Sequence, residues 1–301
     1  MRIVIAEIAF VLCWASGFVS AEIALADAGP YTTLAIRLSL AAVLFVPWVV
    51  RDAMQMRPSG VARSLVEGAT AQAVWLVCVY QSQDLGVRPG EVALITSLQP
   101  LLTAALAGWL AAEAVQRSQW LGLGLGLVGT WIVVAPNGVP ELSLGHIVVL
   151  GAVFVMTAAV LARRRWPVQE HREISGQHGS RFGHLGLQFI GASAVILPLA
   201  WIMEGWAVSW TNSYALNMFW QVIVLSVGSY GLLWFLIDRT DAVRFSSLFY
   251  FTPVATLFMA HLILGDPVGL REALGFAVAL SGVFLVRWSF PVWSGRHRVE
   301  P

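Results

Sequence analysis

The segment from Asp84 to Val134 reads DLGVRPGEVALITSLQPLLTAALAGWLAAEAVQRSQWLGLGLGLVGTWIVV, and a second version of it occurs later in the chain. That version, DRTDAVRFSSLFYFTPVATLFMAHLILGDPVGLREALGFAVALSGVFLVR, runs from Asp238 to Arg287 and aligns without a gap when Pro100 is laid on Pro253. Each version consists of an apolar helix with a proline in its middle, an acidic residue at its end, and a second apolar helix rich in small residues. Such a repeat in a hydrophobic chain predicts a transporter built from two related halves.

The composition predicts an all-α integral membrane protein. The chain has 301 residues, of which 58% are hydrophobic and 12% are charged, whereas soluble domains are about half apolar and about a quarter charged. Apolar runs of about 20 residues, each long enough to cross a bilayer core of about 30 Å as a helix, recur along the whole sequence. We predict ten transmembrane helices, at 3–25, 31–50, 63–82, 90–111, 118–136, 144–162, 183–203, 217–237, 242–264 and 269–290.

The distribution of arginine predicts the orientation of these spans. The sequence contains no lysine, so all 18 cationic side chains are arginine. With a cytoplasmic N-terminus, 15 of the 18 lie on the cytoplasmic side, Arg88 and Arg271 lie outside, and Arg37 lies within a span. This positive-inside bias predicts that both termini are cytoplasmic in a multi-pass protein of the inner (plasma) membrane. Because five spans separate equivalent positions, the two five-helix repeats have inverted topology.

The repeat and the spans together give the domain boundaries. We expect a first five-helix repeat over 1–137, a second over 144–290, a cytoplasmic loop at 163–182 inside the second repeat, and a cytoplasmic tail at 291–301. Ala24-Leu25-Ala26 resembles a signal-peptidase site, but the apolar stretch before it is longer than a usual signal sequence. We therefore expect the first helix to be retained.

Arg37 lies about two turns inside the second span, roughly 10 Å deep at 1.5 Å per residue. An arginine at that depth is unfavourable unless it is paired or meets water. Either it lines a cavity or gate, or its side chain extends outward to Glu22 or to a loop carbonyl. Trp14 has two readings as well, a cavity wall or an aromatic beside a small-residue packing notch.

The third span adds a polar face near the membrane centre. Gln72 and Trp75 are an i, i+3 pair and share one side of the helix, whereas Tyr80 is expected in the outer aromatic belt. Tyr230 and Tyr250 contribute hydroxyl groups from the eighth and ninth spans.

The two proline helices are the other candidate binding elements. Pro100 has no N–H, which is expected to free the carbonyl of Thr96, and Pro253 is expected to free that of Phe249. Interrupted helices at equivalent positions of two halves indicate a central binding site. The alternative is that the threonines bond to their own helices and the prolines only bend them. The polar residues beside these prolines are Thr96, Gln99 and Thr252.

Gly124 to Gly129 matches the dinucleotide fingerprint GxGxxG only formally. That fingerprint follows a strand, whereas this segment lies inside an apolar helix, where Gly122 and Gly126 instead form a small-residue packing face. Paired intramembrane aspartates and the HExxH pattern are absent from the sequence. We therefore expect no catalytic residues, no metal site, no cofactor and no nucleic-acid partner.

Several segments together resemble the EamA-type branch of the drug/metabolite transporter superfamily. The resemblance covers roughly 1–135 and 144–290, and the segments that carry it are Trp14 to Phe18, Pro30 followed by Arg37, Pro100 with Glu113 and Gly122 to Gly129, and the second version of the repeat. It implies ten helices around a central cavity, alternating access and movement of small metabolites, often outward. Two departures are Asp266-Pro267, where the family usually has glutamate, and Met156, where it often has tryptophan.

These observations predict a secondary transporter that releases a small amphipathic metabolite, such as an amino acid. A proton gradient, another ion gradient or facilitated exchange would supply the drive, and the oligomeric state stays open. The alternative is a non-transporting scaffold or channel-like protein, because packing glycines alone would also serve such a role. The expected lining is Trp14, Arg37, Gln72, Trp75, Thr96, Gln99, Tyr230, Tyr250 and Thr252, with Pro100 and Pro253 as kink or gating positions.

Overall fold

The structure is a computed structural model of the full chain. It describes residues 2–53, 56–99, 102–103, 106, 117–134, 142–164, 180–237, 239 and 248–288. Their regular secondary structure is helical, apart from one isolated antiparallel bridge between Ala28 and Val208. The expected all-α class is therefore confirmed.

We number the helices of the described residues in chain order, beginning with α1 to α5. The third is a continuous run that contains a π-helical segment at Gly68–Gln72. Their bounds are α1 Arg2–Leu25, α2 Pro30–Ala53, α3 Pro58–Glu67 continuing through Ala73–Asp84, α4 Pro89–Thr96, and α5 Arg117–Val134.

The remaining helices are α6 to α10. The eighth also contains a π-helical segment, at Trp220–Ser229, and a 3₁₀ turn at Phe249–Phe251 leads into the ninth. Their bounds are α6 Leu144–Arg164, α7 Arg181–Glu204, α8 Asn212–Phe219 continuing through Tyr230–Ile237, α9 Thr252–Leu264, and α10 Leu270–Trp288.

Local sequence signals set many of these helix ends. Pro58 and Pro89 occupy the first turns of α3 and α4, where the missing N–H of proline costs nothing. Gly205 and Gly265 end α7 and α9 in the left-handed conformation, with φ of 59° and 77°, which glycine adopts without steric cost.

In the part of the chain that the structure describes, four helices are long and apolar enough to cross a membrane: Ile3–Leu25, Pro30–Asp52, Arg181–Glu204 and Asn212–Leu236. Shorter apolar helices cover Trp120–Val133, Leu144–Ala159 and Thr252–Leu264. Large apolar side chains face outward on the long helices, for example Ile202 at 73% exposure and Leu216 at 71%. An apolar exterior of this kind suits contact with lipid.

Helices α2 and α7 form an antiparallel pair with matching carboxylate caps. Glu204, at the end of α7, accepts from the N–H groups of Tyr31 (3.0 Å) and Thr32 (2.6 Å) at the start of α2. Asp52, near the end of α2, accepts from the N–H of Ser180 (2.7 Å), the residue that caps α7. Each acid thus satisfies orphan donors at the positive end of the other helix.

Helices α5 and α10 form a second antiparallel pair, packed through glycine. A Cβ added at Gly129 would lie 2.5 Å from the Gly275 carbonyl oxygen and 2.5 Å from the Ala279 nitrogen. A Cβ at Gly282 would lie 2.5 Å from the carbonyl oxygen of Gly122 and 3.0 Å from the Gly126 nitrogen. The prediction of a small-residue packing face at Gly122 and Gly126 is confirmed.

The helix boundaries differ from the predicted loop at 163–182. Helix α6 extends to Arg164 and α7 begins at Arg181, so helix occupies both ends of that range. Residues 165–179 and the predicted tail 291–301 lie outside the described residues.

Candidate functional site

A buried polar cluster lies among α1, α2, α3 and α8. Arg37 is 8% exposed and donates from Nη1 to the hydroxyl of Tyr80 (3.0 Å) and from Nε to the hydroxyl of Ser226 (3.4 Å). Tyr80 in turn donates to Oε1 of Gln221 (2.8 Å). The polar cluster consists of Ser20, Arg37, Tyr80, Asn217, Gln221 and Ser226.

Ser20 on α1 bonds to two side chains of the polar cluster on α8. Its carbonyl accepts from Nδ2 of Asn217 (2.8 Å) and Nε2 of Gln221 (3.2 Å), and its hydroxyl donates to Oδ1 of Asn217 (2.6 Å). Buried polar groups are costly unless they are hydrogen-bonded. These bonds allow several polar side chains to remain inside an apolar bundle.

An aromatic cluster lies beside it and contains Trp14. The ring of Trp14 lies 5.4 Å from that of Phe249, edge to face, and 6.1 Å from that of Tyr230. Nε2 of Gln72 donates to the Tyr230 hydroxyl at 3.4 Å. We define the aromatic cluster as Phe10, Trp14, Tyr230 and Phe249. The structure thus brings together the predicted residues Trp14, Gln72 and Tyr230.

The two clusters are neighbours along α8. Ser226, which accepts from Arg37, precedes Tyr230 by four residues in the same helix. Both π-helical segments contribute side chains here. Gly68–Gln72 ends at Gln72, which bonds to Tyr230, and Trp220–Ser229 contains Gln221 and Ser226 of the polar cluster. Segments of this type occur frequently at functional sites.

Most of the other predicted lining residues have described contacts of their own. Trp75 is half-buried and packs against the main hydrophobic core. Thr96 donates to the carbonyls of Val92 (2.9 Å) and Ala93 (3.0 Å) in its own helix. These are the bonds to its own helix that the alternative interpretation of the proline elements expects.

In the first proline element, Gln99 donates from Nε2 to the Thr103 hydroxyl at 3.1 Å, and that hydroxyl lies 3.5 Å from Thr157 on α6. Pro100 lies outside the described residues, so its predicted effect on the carbonyl of Thr96 stays a prediction. Helix α4 ends at Thr96, four residues before this proline.

The second proline element differs from the expectation of a free carbonyl at Phe249. That carbonyl accepts from the Thr252 N–H, because the chain tightens into a 3₁₀ turn before Pro253. Pro253 is buried in the first turn of α9 instead of the middle of a longer described helix. The Thr252 hydroxyl is buried without a hydrogen-bond partner among the described residues, and the side chain of Tyr250 is not described.

The assignment of Tyr80 to the outer aromatic belt was wrong. Tyr80 is 1% exposed, and its hydroxyl is the bridge between Arg37 and Gln221. Arg37 is also not bonded to Glu22, since its described partners are Tyr80 and Ser226.

The sequence reasoning missed Ser20, Asn217 and Gln221. Asn217 and Gln221 are an i, i+4 pair at the start of an otherwise apolar span, so they share one face of α8. That pairing was the available signal.

A separate charged cluster joins the first turns of α4 and α10 to the start of α6. Arg88 contacts Glu91 (2.5 Å) and Glu272 (4.0 Å), and His146 Nε2 lies 3.2 Å from Glu91. It borders a small pocket that also includes Asp266. Burial raises the pKa of Asp266 above its ordinary value, although the charge of Arg88 opposes that shift.

Comparison with known proteins identifies a single family over nearly all of the chain. The sequence model of the EamA-like transporter family matches residues 1–135 and 143–288. A probable amino-acid metabolite efflux pump of Salmonella typhimurium is 23% identical over 94% of this chain and 93% of its own length. The protein of the same description from Escherichia coli is 21% identical, over 92% of this chain and 93% of its own.

Two further comparisons concern a named transporter and a solved structure. An uncharacterised transporter of Synechocystis is 23% identical over 91% of this chain and 86% of its own length. A solved crystal structure superimposes with a TM-score of 0.62 over 94% of this chain and 96% of its own, at 16% identity. At that identity the likeness concerns the fold alone.

Proposed function

The chain belongs to the EamA-like transporter family of membrane proteins, and we propose that it is a secondary transporter that moves a small amphipathic metabolite outward by alternating access. Amino acids are the proposed substrate class. The names of two relatives, probable amino-acid metabolite efflux pumps, support both the class and the direction.

One observation carries the proposal: the candidate site is built from both halves of the chain. Arg37 and Tyr80 from the first half bond to Ser226 and Gln221 from the second. Trp14 and Gln72 likewise meet Tyr230. A movement of one half against the other would therefore change the contacts of the site, as alternating access around a central site requires.

The packing supports an arrangement of ten spans in two inverted repeats, over 1–137 and 144–290. Antiparallel pairing of α2 with α7 and of α5 with α10 is what two halves of opposite orientation would produce. With the alignment of Pro100 on Pro253, Gly68–Gln72 falls on residues 221–225, inside the other π-helical segment. The proposed inner-membrane location with cytoplasmic termini rests on the arginine distribution.

An ion gradient or exchange is the proposed source of drive. The sequence contains no lysine and therefore no P-loop lysine. The proton is the first ion to test, because Glu22 on α1 has a buried carboxylate oxygen without a hydrogen-bond partner among the described residues.

Counterflow in proteoliposomes tests the function. Purified protein is reconstituted with a panel of unlabelled amino acids and small amines inside, and uptake of the labelled compound is followed with and without a pH gradient. We expect accumulation of at least one amino acid, lost in Arg37→Ala and in Gln99→Ala. Folded protein that moves no member of the panel would contradict the proposal and favour a scaffold role.

A further inference from the structure

We propose that the transported solute carries a carboxylate group and that this group pairs with Arg37. The inference rests on the transport function proposed above and names the chemical class that the site selects. Its basis is the charge balance around Arg37.

Arg37 is a buried cation that pairs with no carboxylate among the described residues. Among the residues that the structure describes, it forms no ion pair, and its two hydrogen bonds go to the neutral hydroxyls of Tyr80 and Ser226. An arginine inside a membrane protein is normally paired or faces water. With 92% of its surface covered, as its 8% exposure shows, Arg37 retains a charge that these partners do not neutralise.

The guanidinium also has free donor capacity. It has five N–H groups in a planar fork, and the two described bonds use Nε and one N–H of Nη1. No bond is described for Nη2. A carboxylate matches the fork with two parallel bonds and supplies the missing charge, whereas an amide or an alcohol supplies hydrogen-bonding groups only.

The surroundings fit the rest of an amino acid. Tyr230 follows Ser226 by four residues along α8, and its ring contacts that of Trp14, so aromatic surface that suits an apolar side chain lies beside a hydrogen-bond partner of Arg37. Oε1 of Gln72 is buried without a hydrogen-bond partner in the described part of the chain, and it is available to accept from an amino group.

The test compares acids with their primary amides, because the two differ only at the carboxylate. The probes are L-phenylalanine and L-leucine with L-phenylalaninamide and L-leucinamide, measured by competition in counterflow and by the thermal stabilisation that each gives the purified protein. The variants are Arg37→Gln, Arg37→Lys and, as the matched control, Arg239→Gln. Arg239 is exposed, with its guanidinium over the ring of Phe235.

We expect the acids to bind the wild-type protein at least tenfold more tightly than their amides. In Arg37→Gln the acids should fall to the level of the amides while the amides change little. Arg37→Lys should restore part of the difference, and Arg239→Gln should match the wild type. The wild-type acid-to-amide ratio tests the proposal even where a variant fails to fold.

Equal affinity for acid and amide, or equal loss of both in Arg37→Gln, would overturn this inference and leave the transport function standing. Acid-selective binding that depends on Arg37 but produces no counterflow would support the pairing of a carboxylate with Arg37 and overturn the transport function. Protein that neither binds nor moves any of the four probes would overturn both.

Discussion

The hydroxyl of Tyr80 connects the charge of Arg37 to α8. It accepts from Nη1 of Arg37 and donates to Oε1 of Gln221, so a single oxygen satisfies two buried partners. All three side chains are at most 8% exposed. A buried donor or acceptor that loses its partner costs more free energy than the bond itself is worth on balance.

We therefore expect Tyr80→Phe to lower the free energy of unfolding by about 1–3 kcal/mol. The change removes no apolar volume but leaves groups on Arg37 and Gln221 unpaired. Thermal unfolding of the purified variant in detergent measures the effect. Tyr31→Phe is the control, since the Tyr31 hydroxyl makes no hydrogen bond among the described residues, and an equal loss in both variants would contradict the role of Tyr80.

At the scale of helices, close approach depends on which face of a helix carries glycine. Gly129 and Gly124 belong to the same helix, α5, but Gly129 faces α10 whereas a Cβ at Gly124 would meet nothing within 4 Å. Helices in a membrane associate through such small-residue contacts. The two positions therefore give a matched pair for testing the α5–α10 interface.

Gly129→Ala should destabilise the protein by about 1–3 kcal/mol, the usual cost of overpacking. Its Cβ would lie 2.5 Å from backbone atoms of Gly275 and Ala279, which cannot move aside as a flexible side chain would. Gly124→Ala should be neutral or slightly stabilising, because alanine is the better helix former. The measurement is the midpoint of thermal unfolding of each variant and of the wild type. A midpoint for Gly129→Ala equal to that of the wild type would show that α5 and α10 do not pack this closely.

For the whole molecule, three helix starts that are predicted to lie on the outer side meet at one end of the bundle. Arg88, Glu91, His146 and Glu272 lie together there, and the arginine distribution predicts that this end is the outer one. Charged groups at a shared bundle end avoid the hydrocarbon region, where they would be unfavourable. This end is the predicted extracellular face.

Labelling of single cysteines tests that orientation. With Cys13→Ala and Cys78→Ala as the background, we expect Trp210→Cys to react with a membrane-impermeant maleimide in intact cells, because Trp210 is 70% exposed and lies at the predicted outer end. Arg51→Cys, whose native side chain is 64% exposed near the opposite end of α2, should react only after permeabilisation. The reverse pattern would invert the topology.

The sequence alone determined the helical membrane class, the family and the glycine interface of α5. These follow from composition and local spacing, because a chain in hydrocarbon satisfies its backbone within helices and small residues four apart share one helix face. Only the tertiary structure decided which polar groups meet. Tyr80 lies 43 residues from Arg37 and 141 from Gln221, and helical periodicity gives the face a side chain occupies but not the helix that packs against it. The misplacement of Tyr80 and the omission of Ser20 and Gln221 share this cause, since a polar residue near the end of an apolar span has the same local pattern whether it faces lipid headgroups or a buried partner.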